Sequence, residues 1–301
     1  MIQSRTIGDA RVTRVLEYSG PTHDPAFLFP DLPQAELDAE ARWLAPNHYV
    51  PRMNRLIVTI QLWIVHAGGN VIVIDTGVGN GKPRGAARMN NLNGLVLPWL
   101  EAAGAAPDQV THVVHTHLHS DHIGWNTIEV DGRWVPTFPN ARYLVPRTDF
   151  DHFQAALAKG PDPIIDNAFR DSLLPLVETG LVDFIGDDTR EVAGCLAVEP
   201  VPGHSPGMLS YRLRSNGEEG LFSADVFHSP LQITRPELNT RYCIFPDKAR
   251  ESRAALLARA SERNALIMPM HFGAPHCGYV RREGEGYRFE GADWPALVLP
   301  R

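Results

Sequence analysis

Residues 116–125 read THLHSDHIGW, and the positions 117–122 within them carry His117, His119, Asp121 and His122. Side chains alternate along an extended segment, so His117 and His119 share one side, and a turn at Ser120 brings Asp121 and His122 back toward them. Burying three imidazoles and a carboxylate this close without a cation would mean severe desolvation, or mutual repulsion once the rings protonate. Imidazole nitrogen and carboxylate oxygen are ligands for zinc and its neighbours, so the stretch is expected to hold metal. The spacing is wrong for a zincin helix, which needs His-Glu-x-x-His on one face.

Working outward, Thr111 to His115 (THVVH) is a short β-branched run that reads as a buried strand, so the cluster leaves a strand end. Upstream, Arg11 to Tyr18, Leu56 to Val65 and Val71 to Ile74 read as strands, the last two joined across Ala67-Gly68-Gly69-Asn70 as a hairpin. Gly77 to Gly94 is Gly- and Asn-rich loop, and Leu95 to Ala103 a short helix stopped at Gly104. Downstream strands are expected at 142–145, 196–201, 208–213, 220–223 and 265–268, with helices near 147–159, 165–178 and 248–262. No repeat or linker is visible, so residues 1–301 read as a single domain with insertions at 19–55 and 147–180 that cover a pocket or form an interface. The second is interrupted at Gly160-Pro161-Asp162-Pro163.

Four ligands packed so tightly cannot all serve one open catalytic ion, and three further candidates stand at strand ends. They are His204 in GHSPG (203–207), Asp225 in SAD (223–225) and His271 in MPMHFG (268–273). Each alone is more simply a satisfied polar residue; their order after the first cluster makes them a set.

The bulk composition narrows the function. Lys plus Arg number 28 against 35 Asp plus Glu, a formal charge of −7, which gives no basic field for nucleic acid. The start lacks a secretory pattern and no stretch approaches the roughly 18 apolar residues of a membrane helix, so no membrane partner and a cytoplasmic location are expected. Three widely spaced cysteines, Cys195, Cys243 and Cys277, suggest neither disulfides nor a thiolate zinc knot; Cys277 lies near His271 and His276 in sequence.

The ordered set His117-x-His119-x-Asp121-His122, then His204, Asp225 and His271, with Asp75-Thr76-Gly77 after the early hairpin, resembles the metallo-β-lactamase-fold superfamily of hydrolases over residues 56–273. The resemblance implies an α/β fold, a four-layer αβ/βα sandwich with the metals at one edge. It further implies that His117, His119 and His204 hold one divalent ion, Asp121, His122 and His271 a second, and that Asp225 bridges them. Zinc is the expected metal, with manganese, iron or cobalt compatible with the same nitrogen and carboxylate ligands. Asp121 would also orient the nucleophile, and Asp75 would tie a ligand histidine in place. His228 occupies the position, three residues after Asp225, where the similar acyl-homoserine lactonases carry a tyrosine that polarises the substrate carbonyl. It is the second expected catalytic residue, and the departure weighs against an acyl-homoserine lactone substrate.

Within the superfamily, the flavin-linked di-iron oxidoreductases have glutamate in place of His119, and RNA-processing relatives need a basic arm this chain lacks. The glyoxalase-type thioesterases end in a basic helical region, whereas Gly278 to Arg301 reads as strands and turns. The remaining branch implies hydrolysis of a small-molecule lactone or neutral carboxylic ester, with a phosphotriester or an activated aromatic halide as the alternative substrate. A di-iron redox protein and a non-catalytic metal-binding relative are the readings outside hydrolysis. Phe27, Phe29, Trp43, Trp125 and Asn126 are expected around a mostly apolar pocket. A homodimer through residues 19–55 is a further expectation. His66, His112 and His115 are expected to be structural, His115 also a candidate beside a ligand. His23, His48, His152 and His276 are expected at the surface or in a lid.

Overall fold

The computed structural model describes residues 2–160 and 166–294. The first sheet contains β1 (Ile2–Ile7), β2 (Ala10–His23), β3 (Tyr49–Val50), β4 (Arg55–Ala67), β5 (Asn70–Ile74) and β6 (His112–Val114). A separate hairpin, β7 (Thr127–Val130) and β8 (Arg133–Pro136), precedes its last two strands, β9 (Arg142–Pro146) and β10 (Val182–Ile185). Their order is β1-β2-β4-β5-β6-β9-β10, with β3 also paired to β4. The second sheet runs in chain order through β11 (Glu191–Val192), β12 (Leu196–Pro200), β13 (Leu209–Ser215), β14 (Glu218–Phe222), β15 (Leu266–Ile267), β16 (Gly278–Glu283) and β17 (Gly286–Gly291).

The period-two pattern assigns the layers. On β4, Trp63 and Val65 point inward with Ile72 and Ile74 of β5 and Val114 of β6, and meet Tyr211, Leu213 and Phe222 of the second sheet. The intervening residues Leu62, Ile64, Val73 and Val113 face the other way, onto Val96 and Leu100 of the helix Val96–Ala102. Across the molecule, Leu221, Ile267 and Val280 pack on Leu256, Leu257 and Ala260 of the helix Pro246–Glu262. Helix, sheet, sheet and helix stack in that order, the expected four-layer sandwich. Both faces of β4 and β5 are covered, which is why these strands read as continuous apolar runs. Each such side chain contributes about 1.5–3 kcal/mol on burial.

Every strand inferred from the sequence is present, within a few residues of its expected ends. The first, expected to stop at Tyr18, continues to His23, because β4 is long enough to keep pairing with it from Ser19↔Thr59 to His23↔Leu56. Part of the expected 19–55 insertion is therefore sheet. Helix near 165–178 is built as Asp166–Ala168, a π-helical turn at Phe169–Leu173 and Leu174–Thr179. Pro161 to Pro163 and residues 295–301, on which other expectations fall, lie outside the described residues. Among the described residues no helix is long and apolar enough to cross a membrane.

Two parallel pairs, β5 with β6 and β14 with β15, end at the same rim. The segments 75–77, 116–122, 223–225 and 268–271 all leave these carboxyl ends, where open α/β sheets place their ligands.

Candidate metal centre

His122 N donates to His119 O across Ser120 at 3.0 Å, the turn that folds the histidine stretch back on itself. Asp225 follows β14 after Ala224, whose φ of +51° is an uncommon backbone for alanine. GHSPG needs its glycines. A Cβ on Gly203 would stand 2.2 Å from Ala249 N, and one on Gly207 2.7 Å from Asp149 N.

The side chains converge on one carboxylate oxygen. Asp225 Oδ2 lies 2.9 Å from His271 Nε2, 3.3 Å from both His204 Nε2 and His228 Nε2, 3.4 Å from His122 Nε2 and 3.7 Å from His117 Nε2. His119 Nδ1 lies 3.1 Å from His117 Nε2 and 2.9 Å from His204 Nε2. Asp121 reaches His122 Nε2 at 3.7 Å and His271 Nε2 at 3.9 Å. Four overlapping groups form, each with its ligand atoms within 4.8 Å of one another: His117, His119, His204 and Asp225; Asp121, His122 and His271; Asp75, His117 and His122; and Asp225, His228 and His271.

This donor set fits divalent cations. Imidazole nitrogens about 3 Å apart match the edge, about 3.3 Å, of a tetrahedron with bonds of about 2.0–2.1 Å. Asp225 Oδ1 and His122 Nε2 are buried without a hydrogen-bond partner, as expected of atoms reserved for an ion. Burial pushes His119 down to about 3 and His204 to about 4, with His117 well below its ordinary value, which favours the neutral rings that a metal ion needs as ligands. Burial acts the same way on His122 and His271, but Asp225 and Asp121 outweigh it and raise both. The carboxylates call for positive charge at the second group.

The outer contacts set the tautomers. Asp75 Oδ2 accepts from His122 Nδ1 at 2.9 Å and from Thr116 Oγ1 at 2.7 Å, while Oδ1 accepts from Thr116 N at 2.8 Å. Asp75 is therefore a support for His122, as the resemblance implied, with its own oxygens occupied. His271 Nδ1 donates to Thr59 O at 2.7 Å, which turns its Nε2 to the centre.

A family profile described as the metallo-beta-lactamase superfamily matches residues 59–271, from within β4 to the last of these histidines. The chain belongs to the metallo-β-lactamase superfamily. Among superfamily relatives, N-acyl homoserine lactonase AttM of Agrobacterium fabrum (strain C58) is 31% identical over 135 residues, 43% of this chain and 46% of AttM. N-acyl homoserine lactonase AiiA of Bacillus thuringiensis subsp. kurstaki is 26% identical over 165 residues, 50% of this chain and 57% of AiiA. The chain spans about half the length of the curated relatives it matches. Hydrolase AbOPH of the β-lactamase superfamily superposes with a TM-score of 0.79 at 25% identity, covering 100% of this chain and 98% of AbOPH. AidC, a dizinc quorum-quenching lactonase solved with its product N-hexanoyl-L-homoserine, also superposes at 0.79, with 19% identity and 97% of each chain covered, and speaks to fold alone.

Beside the superfamily centre lies a cavity of about 230 Å³. His119, Asp121, His204, Asp225, His228 and His271 form its floor; Val58, Met89, Phe153 and Ile244 its apolar wall; and His23, Arg88 and Tyr242 a polar one. The aromatic residues expected there stand elsewhere. Trp125 is buried, its Nε1 donating to Glu17 at 2.7 Å, and Asn126 accepts from Thr76 Oγ1. Phe29 belongs to a core cluster with Leu28 and Leu37, while Phe27 and Trp43 are exposed. The 3-10 turn Gly124–Asn126 directs Trp125 and Asn126 inward, away from the metal loop's open side. His23 is buried and lines the cavity, and His48 and His276 are buried as well, against the surface or lid placement expected of them. Cys277 is buried against Ala292; the cysteine beside a ligand is Cys243, with Sγ 3.9 Å from His204 Nδ1.

Asp149 and Glu17 carried no sequence signal. Asp149 is fully buried and accepts from Ser205 Oγ at 2.7 Å, Gly207 N at 2.5 Å and Leu118 N at 3.3 Å, tying the helix Arg147–Leu157 to both ligand loops. Glu17 accepts from Val78 N, Gly79 N and Trp125 Nε1, bracing the loop after Asp75. A lone acid in a helix or strand reads as surface; only the fold shows what it meets.

Proposed function

We propose that the protein is a binuclear metal-dependent hydrolase that opens a lactone or another neutral carboxylic ester. The observation that carries this reading is the single oxygen of Asp225 set among five imidazole nitrogens, between two ligand groups, on the floor of a cavity. His117, His119 and His204 would hold one ion, Asp121, His122 and His271 the other, with Asp225 shared. Zinc is the metal we assign. When bound, such a pair supplies a nucleophile at neutral pH and a positive charge to polarise the substrate oxygen.

The chain's own residues do the rest. Asp121, 20% exposed at the cavity floor, is placed to orient a water and take its proton. His228 lines the same floor, with Nε2 3.3 Å from Asp225 Oδ2, and is placed to donate to that oxygen or to a substrate oxygen beside it. Val58, Met89, Phe153 and Ile244 exclude bulk water and receive the carbon skeleton. The segments 19–55 and 147–180 contribute His23 and Phe153, so we assign them as walls of one hydrolase unit.

The names of AttM and AiiA support lactone opening as the reaction class. The test is acid release from lactones, aryl esters, phosphotriesters and chlorinated aromatics, before and after chelation, with elemental analysis of the same preparation. Turnover of lactones or esters that chelation abolishes and zinc restores, with about two ions per chain, is the expected result. Turnover confined to phosphotriesters or halides would replace the substrate class, and fewer than one ion per chain in metal-replete protein would sink the binuclear reading.

A further inference from the structure

Arg88 is the one cationic side chain lining the cavity among the described residues. It is half-buried and, among the described residues, pairs with no carboxylate. Its polar neighbour along the cavity wall is Tyr242, whose hydroxyl lies 3.3 Å from His23 Nε2. His23 is in turn 3.0 Å from Thr22 Oγ1, and burial with the charge of Arg88 lowers it to about 3, so it adds no second cation. A guanidinium has five N–H donors in a planar fork, and one phenol oxygen leaves most of them unused.

The loop that carries Arg88 is held from behind. Arg84 makes a paired contact with Asp171 at 2.6 and 2.9 Å, and Lys82 Nζ donates to Thr127 Oγ1 and Ser172 Oγ, both at 2.7 Å, all of it buried. Asn91 N closes on Lys82 O at 2.9 Å and Arg84 N on Asn90 Oδ1 at 3.0 Å. The short turn Ala87–Met89 between these anchors presents Arg88 and Met89 to the cavity. Asp121 and Asp225 lie on the cavity floor, but no carboxylate among the described residues pairs with Arg88, so its donors are open to an anion that arrives with the ligand.

We propose that Arg88 and Tyr242 form a subsite for a carboxylate on the non-reacting part of the substrate, so that the ester or lactone opened at the metal centre is a compact, anionic one. This rests on the hydrolase reading for the reaction, narrows its neutral ester to one that is neutral only at the bond that opens, and rests on the cavity wall alone for the anion. At about 230 Å³ the cavity is smaller than the usual ~300–1,000 Å³ of ligand sites, which suits a small ring bearing a charge better than one bearing a long acyl chain.

The experiment uses metal-replete protein and two matched pairs. Turnover is compared for γ-butyrolactone-3-carboxylate and its carboxamide, and calorimetric binding for cyclopentanecarboxylate and cyclopentanecarboxamide, whose rings carry no ester to open. Wild type should favour the carboxylate in both assays, in turnover mainly through KM. Arg88→Gln should lower the preference for each carboxylate over its neutral partner about 10–100-fold. Arg88→Lys should recover part of the preference, and Tyr242→Phe should lose a smaller part. No preference in wild type, or a preference that Arg88→Gln leaves intact, overturns the subsite even if lactones are hydrolysed. Carboxylate binding that depends on Arg88 with no ester or lactone turnover would instead overturn the hydrolase reading and keep the subsite.

Discussion

Replacing Asp149 with Asn tests whether the buried carboxylate behind both ligand loops acts as the structure implies. Its oxygens accept from Ser205 Oγ, Gly207 N and Leu118 N. An asparagine has one acceptor oxygen, so one of the two backbone N–H groups must face an amide N–H and lose its partner, which costs about 1–3 kcal/mol. A second effect runs with pH. Burial raises Asp149 to about 6 against the ordinary 3.8, although the three donors oppose the shift. A carboxyl raised on folding gives stability below its unfolded pKa that is lost as pH rises through the folded one, and asparagine has no such dependence. From these two pKa values the linkage relation makes wild type lose on the order of 1 kcal/mol relative to Asp149→Asn between pH 5 and pH 8. The deficit of the variant should therefore shrink by that amount as pH rises. Urea unfolding of both proteins at pH 5, 6, 7 and 8, each stripped of metal so that ion loss does not enter, reads the difference directly. Titrating histidines shared by the two proteins cancel in it. A difference independent of pH, or one that widens toward pH 8, would refute the assignment of a raised, buried carboxyl.

Removing the common anion should be the most damaging change at the centre: Asp225→Ala is expected to lower kcat/KM at least about 100-fold and the metal content below two per chain, read by rate assay and elemental analysis. His112→Ala, remote from the cavity, should retain activity, and equal rates in the two variants would contradict the ligand assignment. Asp75→Asn keeps the shape but weakens the hold on His122 Nδ1, so zinc affinity in a competing-chelator titration should fall about 10–100-fold with little change in circular dichroism. Chelation of the wild type should lower Tm, and returning zinc should restore it in proportion to the logarithm of free zinc, because the ions bind the folded chain.

The chemistry was legible early because metal ligands are rare residue types in tight local order. THLHSDHIGW needs only a strand end and one turn to bring four ligands together, and both follow from local sequence. Strands were legible for a related reason. β4 and β5 are covered on both faces, so their apolar runs stand out from the loops around them. The cavity wall was not legible. Trp125, Phe29 and Trp43 are as apolar as Val58, Met89 and Ile244, and hydrophobicity does not say which sheet face or loop a side chain will join. His23 reached the cavity because β2 kept pairing with β4 past Tyr18, a matter of partner length.

From its sequence alone the chain displayed an ordered set of residues of metal-ligand type, while the family resemblance implied the two-metal arrangement and the layered α/β architecture that its strand pattern permitted, since residue type, order and periodicity are properties of the chain. The tertiary structure alone decided which groups answer those ligands. Asp149 reaches its partners across 31 to 58 residues. Arg88 and Tyr242 meet over one cavity from separate loops. Such contacts depend on how two sheets stack and which strand ends share a rim, and no local pattern encodes that distance.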